Sequence, residues 1–169
     1  PVFRNQISRE IFGENVYEKY FKVETGDVVV DIGASAGPFA YMIRDRGAKE
    51  IYCIEPATQL FAVLQKNVPF AKCFNYGIAS ENGEVEIPFM FCDNEAGTRM
   101  AHGRKFSSFI SENNIDHIDF LKIDCEGGEY DVFDEENFDW ILKNVRKIAG
   151  EWHLNTPEQK EKFRKFRDL

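Results

Sequence analysis

The stretch DFLKIDCEGGEYDVF, residues 119–133, begins as an apolar run and turns acidic, with Asp124, Glu126 and Glu129 grouped around Gly127 and Gly128. Further on, KIAGEWH sets Glu151 two residues before His153. Carboxylates and imidazoles accept and deliver protons near neutral pH, and they also ligate divalent cations. If the two stretches are neighbouring strands, Asp124, Glu126, Glu151 and His153 meet at their ends. Such a cluster can hold a divalent cation or work as acid and base without metal, and both readings stay open. Burying acids together costs free energy unless they are paired, protonated, metal-bound or facing a cationic ligand. Glu129 reads instead as structural, capping the next turn or pairing with Lys122 or an Arg. His153 alone would be a hydrogen-bonded structural histidine; beside Glu151 at a strand end the functional reading weighs more. Trp152, between them, should point away into packing.

A second constellation is DIGASAGPFA, residues 31–40. Gly33 and Gly37 form a glycine loop that lets a ligand approach backbone N–H groups, or merely a tight turn. The spacing is not G-x-G-x-x-G, and no Walker Lys follows. Glu55, about 20 residues on, can accept both hydroxyls of a ribose. A nucleoside site without a pyrophosphate grip suits S-adenosylmethionine. Asp31 is then expected to face the cofactor's ammonium or ordered water.

The elements that must position these groups alternate. Residues 27–33 are a β-branched run closed by Gly, the mark of a strand buried on both faces. The spacing predicts helices over 37–47, 58–68, 105–114 and 135–144, and strands over 49–56, 71–78, 118–124 and 146–152. Residues 83–91 read as an extra extended segment, 93–103 as a polar loop, and 8–21 as a lead-in helix or turns. Thr156, Pro157 and Gln159 make a cap signature for a last helix, whose Phe163 and Phe166 should cover the sheet. The pattern predicts an α/β fold: a doubly wound, mostly parallel, Rossmann-like sheet with helices on both faces, and ligands at the carboxyl ends of its strands.

At 169 residues, 43% apolar, the chain can bury one ordinary core, so a single domain is expected over 1–169: lead-in 1–23, core 24–153, terminal helix 154–169. The net charge of −8 argues against a nucleic-acid partner. No apolar run approaches the roughly 20 residues of a membrane span, so a cytoplasmic location without membrane contact is expected. Cys53, Cys73, Cys92 and Cys125 form no C-x-x-C pair and read as reduced thiols. The first residue, Pro, and the uncapped end EKFRKFRDL suggest a piece of a longer chain.

GDVVVDIGASAGPFA, IYCIEP, FSSFISENNIDHIDFLKIDCEGGEYDVF and KIAGEWH, in this order, resemble the FkbM family of S-adenosylmethionine-dependent methyltransferases from about residue 24 to 153. The first two motifs are common to class I methyltransferases; the block at 119–129 is more specific. The resemblance implies a class I fold and O-methylation of a hydroxyl on a sugar or small natural product. Carried onto this sequence, it implies a cofactor-binding set of Asp31, Gly33, Ala34, Ser35, Gly37, Phe39, Glu55, Pro56, Tyr76 and Gly77. Ser35 stands where the family often has Asn, and the last two strands of the fold are expected to be missing. The alternative is a catalytically silent S-adenosylmethionine-binding module of a larger protein.

Overall fold

A computed structural model describes residue 11, residues 13–90 and residues 96–167. Its strands are β1 Val28–Ile32, β2 Glu50–Ile54, β3 Lys72–Phe74, β4 Gly77–Ile78, β5 Gly83–Met90, β6 Ala96–Arg104, β7 Phe120–Ile123 and β8 Ile148–Gly150. Its α-helices are α1 Pro38–Ile43, α2 Thr58–Asn67, α3 Phe106–Glu112, α4 Glu129–Val132, α5 Phe138–Asn144 and α6 Pro157–Arg167.

All five residues of β1 are buried, as a β-branched run without polar alternation requires of a central strand. It pairs in parallel with β2 on one side and β7 on the other. With β3 outside β2 and β8 outside β7, also parallel, the order is β3-β2-β1-β7-β8. The period of two along β1 feeds two cores. Val28, Val30 and Ile32 pack with Phe106, Phe109 and Ile110 of α3 and Ile141 of α5. Val29 faces the other way, towards Phe39, Ala40 and Ile43 of α1 and Leu64 of α2. Helices therefore cover both faces of a mostly parallel sheet, as the alternating pattern predicts.

The remaining strands form a separate sheet, order β4-β6-β5, and here two expectations are corrected. The strand expected over 71–78 is interrupted at Asn75, whose Nδ2 turns back to donate to the Glu55 and Pro56 carbonyls at 2.9 and 3.2 Å. Gly77–Ile78 then pairs with β6 rather than with β2. From residue 96 the expected polar loop is a strand, antiparallel to β5 from Gly83↔Gly103 to Met90↔Ala96. Hairpin pairing satisfies backbone N–H and C=O groups whatever the side chains' polarity, so a polar composition hid it. Residues 91–95 of those two segments lie outside the described residues, as does Cys92; Cys53, Cys73 and Cys125 are free thiols.

Of the lead-in helix or turns expected over 8–21, the described residues include a 3-10 turn, Val16–Glu18, preceded by Asn15 in the left-handed region; residues 1–10 and 12 lie outside the description. The buried Glu18 fixes this turn, accepting from Val23 N at 2.8 Å and pairing with Arg46 at 2.5 Å. At the other end, the α6 cap forms as expected: Gln159 N donates to Thr156 Oγ1 at 3.1 Å, and Thr156 N donates to Gln159 Oε1 at 3.0 Å. Phe163 and Phe166 then stack on Trp152, ring centroids 5.4 and 4.8 Å away, which turns Trp152 into packing and leaves its neighbours at the sheet end.

Candidate active site

The strand order reverses between β1 and β7, so the crevice of this sheet lies beyond Ile32 and Ile123. The chain is tight there. A Cβ on Gly33, at φ +77°, would sit 1.8 Å from the Asp124 carbonyl oxygen. Gly33 N and Ala34 N donate to Ile54 O at 3.0 Å, closing the turn onto β2. Gly33 is thus required by the join of β1 to β7. Gly37, at φ +84°, is buried against α2: a Cβ would meet Leu64 Cδ1 at 2.8 Å and Val68 Cγ1 at 3.2 Å. Packing against this helix is by itself enough to disfavour a side chain there. Phe39 is likewise core, its ring 5.6 Å from that of Phe120.

Ser35 holds a left-handed φ of 52° without being glycine. Glu55 fastens it, one oxygen accepting from Ser35 N at 2.8 Å and the other from Ala57 N at 2.7 Å. A carboxylate has about four acceptor positions, so each oxygen keeps one for a hydroxyl donor. Burial raises the Glu55 carboxyl pKa against the pull of those two N–H groups. Beside it opens a cleft of about 220 Å3 lined by Pro56, Thr58, Gln59, Asn75, Met100 and His102, between the sheet end and the hairpin. Gly77 is buried near Pro56, and the half-buried Tyr76 packs on Phe74. Another cleft, of about 250 Å3, lies by Val28, Glu50 and Lys72 at the opposite end of the sheet, away from these groups.

Asp31 is turned into the sheet, beneath the loop. It is fully buried and in register with Lys122 across β1 and β7, with Lys122 Nζ 3.0 Å from Oδ1 at ion-pair distance but outside hydrogen-bond geometry. Burial raises the Asp31 carboxyl pKa against the Lys122 charge. Burial works against that ammonium in turn, but Asp31 and Asp124 outweigh it and hold its pKa above the usual lysine value. Lys122 Nζ also donates to Gly33 O at 2.7 Å, bracing the loop from beneath.

At the open end of β7 and β8, Asp124, Glu126 and His153 converge: one ligating atom from each lies within 4.8 Å of the others. His153 Nε2 is 3.4 Å from Glu126 Oε2, and its Nδ1 is 2.9 Å from Glu129 Oε1. Glu129 is therefore structural, as its position suggested, but its partner is His153 rather than Lys122 or Arg. Its Oε1 also accepts from Cys125 N and Gly127 N, each at 3.2 Å. Burial alone would raise the Glu129 carboxyl; the His153 contact and the two N–H groups outweigh it and lower its pKa. Chiefly through the Glu129 hydrogen bond, His153 rises from its ordinary 6.5 to about 9. Burial, then the neighbouring acids, raise Glu126 against the pull of His153. Glu126 sits at φ 57°, the second non-glycine residue of the site in the left-handed region, where sparsely populated backbone conformations concentrate at functional sites. Glu151 is exposed and stands outside the three-residue cluster, though its charge reaches His153.

Two residues of this site are absent from the sequence-based set. Tyr17, from the lead-in turn, donates its hydroxyl to Asp124 Oδ2 at 2.5 Å and packs edge-on against Phe39. Burial first, then Asp124, raises its pKa so that it stays a neutral donor. No local motif marks it, because the contact joins residues 107 apart. Lys122 did carry a signal, a lone cation in the apolar strand FLKI.

Residues 93–169 match the family model described as the methyltransferase FkbM domain. No curated protein matches the chain. Among solved structures, precorrin 8W decarboxylase of Methanobacterium thermoautotrophicum is similar at 16% identity and a TM-score of 0.51, over 98% of this chain and 70% of that one. A Pyrococcus horikoshii protein described as a candidate RNA methyltransferase is 18% identical at TM-score 0.43, over 95% of this chain and 63% of that one. The phosphoethanolamine N-methyltransferase 1 of Haemonchus contortus, solved with phosphoethanolamine and S-adenosylhomocysteine, is 13% identical at TM-score 0.46, over 83% of this chain and 23% of its own. The chain thus spans between 23% and 70% of these proteins' lengths. Its parallel sheet with helices on both faces is a Rossmann-like fold, shared with the first of these structures.

Proposed function

We propose that this protein transfers the methyl group of S-adenosylmethionine to a hydroxyl oxygen of a small molecule or sugar. The observation that carries the reading is the convergence of Asp124, Glu126 and His153 beside a loop held by Glu55, at the reversal of strand order. In this reading the free acceptor positions of Glu55 take the ribose hydroxyls, and Ser35 and the cleft by Pro56 and Asn75 take the rest of the nucleoside. The sulfonium then lies towards the acids, whose negative charge suits it. In-line attack breaks the C–S bond as the C–O bond forms; S-adenosylhomocysteine keeps the electron pair, and the hydroxyl proton passes to Asp124, Glu126 or, in its neutral form, His153.

The test is calorimetry with S-adenosylmethionine and with NAD, followed by turnover to S-adenosylhomocysteine with a panel of hydroxylated acceptors. S-adenosylmethionine binding with acceptor-dependent turnover is expected. Binding without turnover on any acceptor would leave a silent cofactor-binding module; turnover on an RNA or an amine alone would overturn the acceptor class.

A further inference from the structure

We infer that Asp124, Glu126 and His153 form a binding site for one divalent cation of the Mn2+ type, through the imidazole Nε2 and one oxygen of each carboxylate. The inference rests on the same pocket as the methyl-transfer reading and names what holds the acceptor hydroxyl there.

Octahedral coordination at bonds of about 2.1–2.3 Å sets ligand atoms roughly 3 to 4.5 Å apart. The three atoms, within 4.8 Å of one another, need only a small side-chain rotation to reach that range. They come from the end of β7, the turn after it and the segment after β8, so the sheet itself brings them together. A second observation lies behind the cluster. Glu129 is wholly buried, its Oε1 occupies His153 Nδ1, and its Oε2 has no hydrogen-bond partner among the described residues. A buried carboxylate on one imidazole nitrogen, with the other nitrogen turned to open carboxylates, is how metal-ligating histidines are oriented.

Charge points the same way. The acids Asp124, Glu126, Glu129 and Glu151 surround a single imidazole, and Lys122, whose charge reaches Asp124, is matched by Asp31. Two carboxylates with one imidazole suit Mn2+ better than Ca2+ or Mg2+, which favour all-oxygen shells. No thiol joins the set, because Cys125 Sγ packs against Gly128. Three protein ligands also leave positions for water or an acceptor oxygen, whereas a structural zinc centre would be closed by four.

The test uses the full chain stripped with chelator and titrated with Mn2+ alone, following free Mn2+ by electron paramagnetic resonance. One Mn2+ per chain is expected, with 14N coupling from an imidazole in the pulsed spectrum. Asp124→Asn and His153→Gln should each weaken binding at least tenfold, and His153→Gln should abolish the coupling. Glu129→Gln should weaken it roughly 10- to 100-fold through loss of the oriented tautomer. Substoichiometric binding, unchanged affinity in Asp124→Asn, or 14N coupling that survives in His153→Gln would overturn the site. Turnover in the same preparation separates the two readings. Mn2+ bound without methyl transfer sinks the enzymatic proposal and keeps the cation; full turnover in excess chelator keeps methyl transfer and overturns the cation as the group that holds the acceptor.

Discussion

Glu55 serves the backbone as well as any ligand. Glu55→Ala would strand Ser35 N and Ala57 N and so lower stability together with affinity. Glu55→Gln keeps the shape and removes the charge; it should weaken S-adenosylmethionine by about 1.5–3 kcal/mol, the scale of a hydrogen bond to a charged group. Calorimetry checks this, and equal affinity would remove Glu55 from the cofactor site. His153 gives a pH signature. Its pKa in the folded protein is about 9 against 6.5 ordinarily, so its contribution to stability is fully present below pH 6.5 and is lost as pH rises through 9. Urea unfolding of the metal-free protein between pH 6 and 10 should show that decline, and His153→Gln should flatten it. An unaltered slope in the variant would mean that another group titrates there.

Between elements, the join of β1 to β7 carries the site. Lys122 spans it, pairing with Asp31 and holding the Gly33 carbonyl. Lys122→Met would leave the Asp31 charge buried without its partner and should cost about 3–5 kcal/mol in denaturant unfolding. Lys122→Met with Asp31→Leu should recover much of that loss, since well-packed apolar residues often replace a buried ion pair without penalty. The same join forbids a side chain at residue 33: Gly33→Ala should fail to fold, because the Asp124 carbonyl it would meet is backbone and cannot step aside. A soluble Gly33→Ala variant with native circular dichroism would show that the two strands can separate there.

Across the molecule, protection should grade from the two cores outward. β1, β2 and β7 lie between helical layers with nearly every residue buried, whereas Glu84, Glu86 and Met100 of the hairpin are exposed. Amide hydrogen exchange should therefore be slowest in β1, β2 and β7 and far faster in β5 and β6, whose pairing can open without disturbing either core. Hairpin amides as slow as those of β1 would show that the two sheets unfold as one unit.

The order of strands and helices was legible in the sequence because apolar period and glycine punctuation are local properties: DVVVDIG reads as a doubly buried strand before any partner is known. The same locality brought Asp124, Glu126 and His153 to notice as strand-end groups, and Glu55 by its distance from the glycines. The first strand of the hairpin was legible as an extended segment, but its partner was not, since cross-strand bonding is indifferent to side-chain polarity. Tertiary structure alone decided what each acid meets. Asp31 turned inward because register set it opposite Lys122. Glu129 found His153 because β8 lies beside β7. Tyr17 reached Asp124 across 107 residues because Glu18 anchors the lead-in turn. Such pairings depend on distances between elements that only packing sets, and no residue type or spacing encodes them.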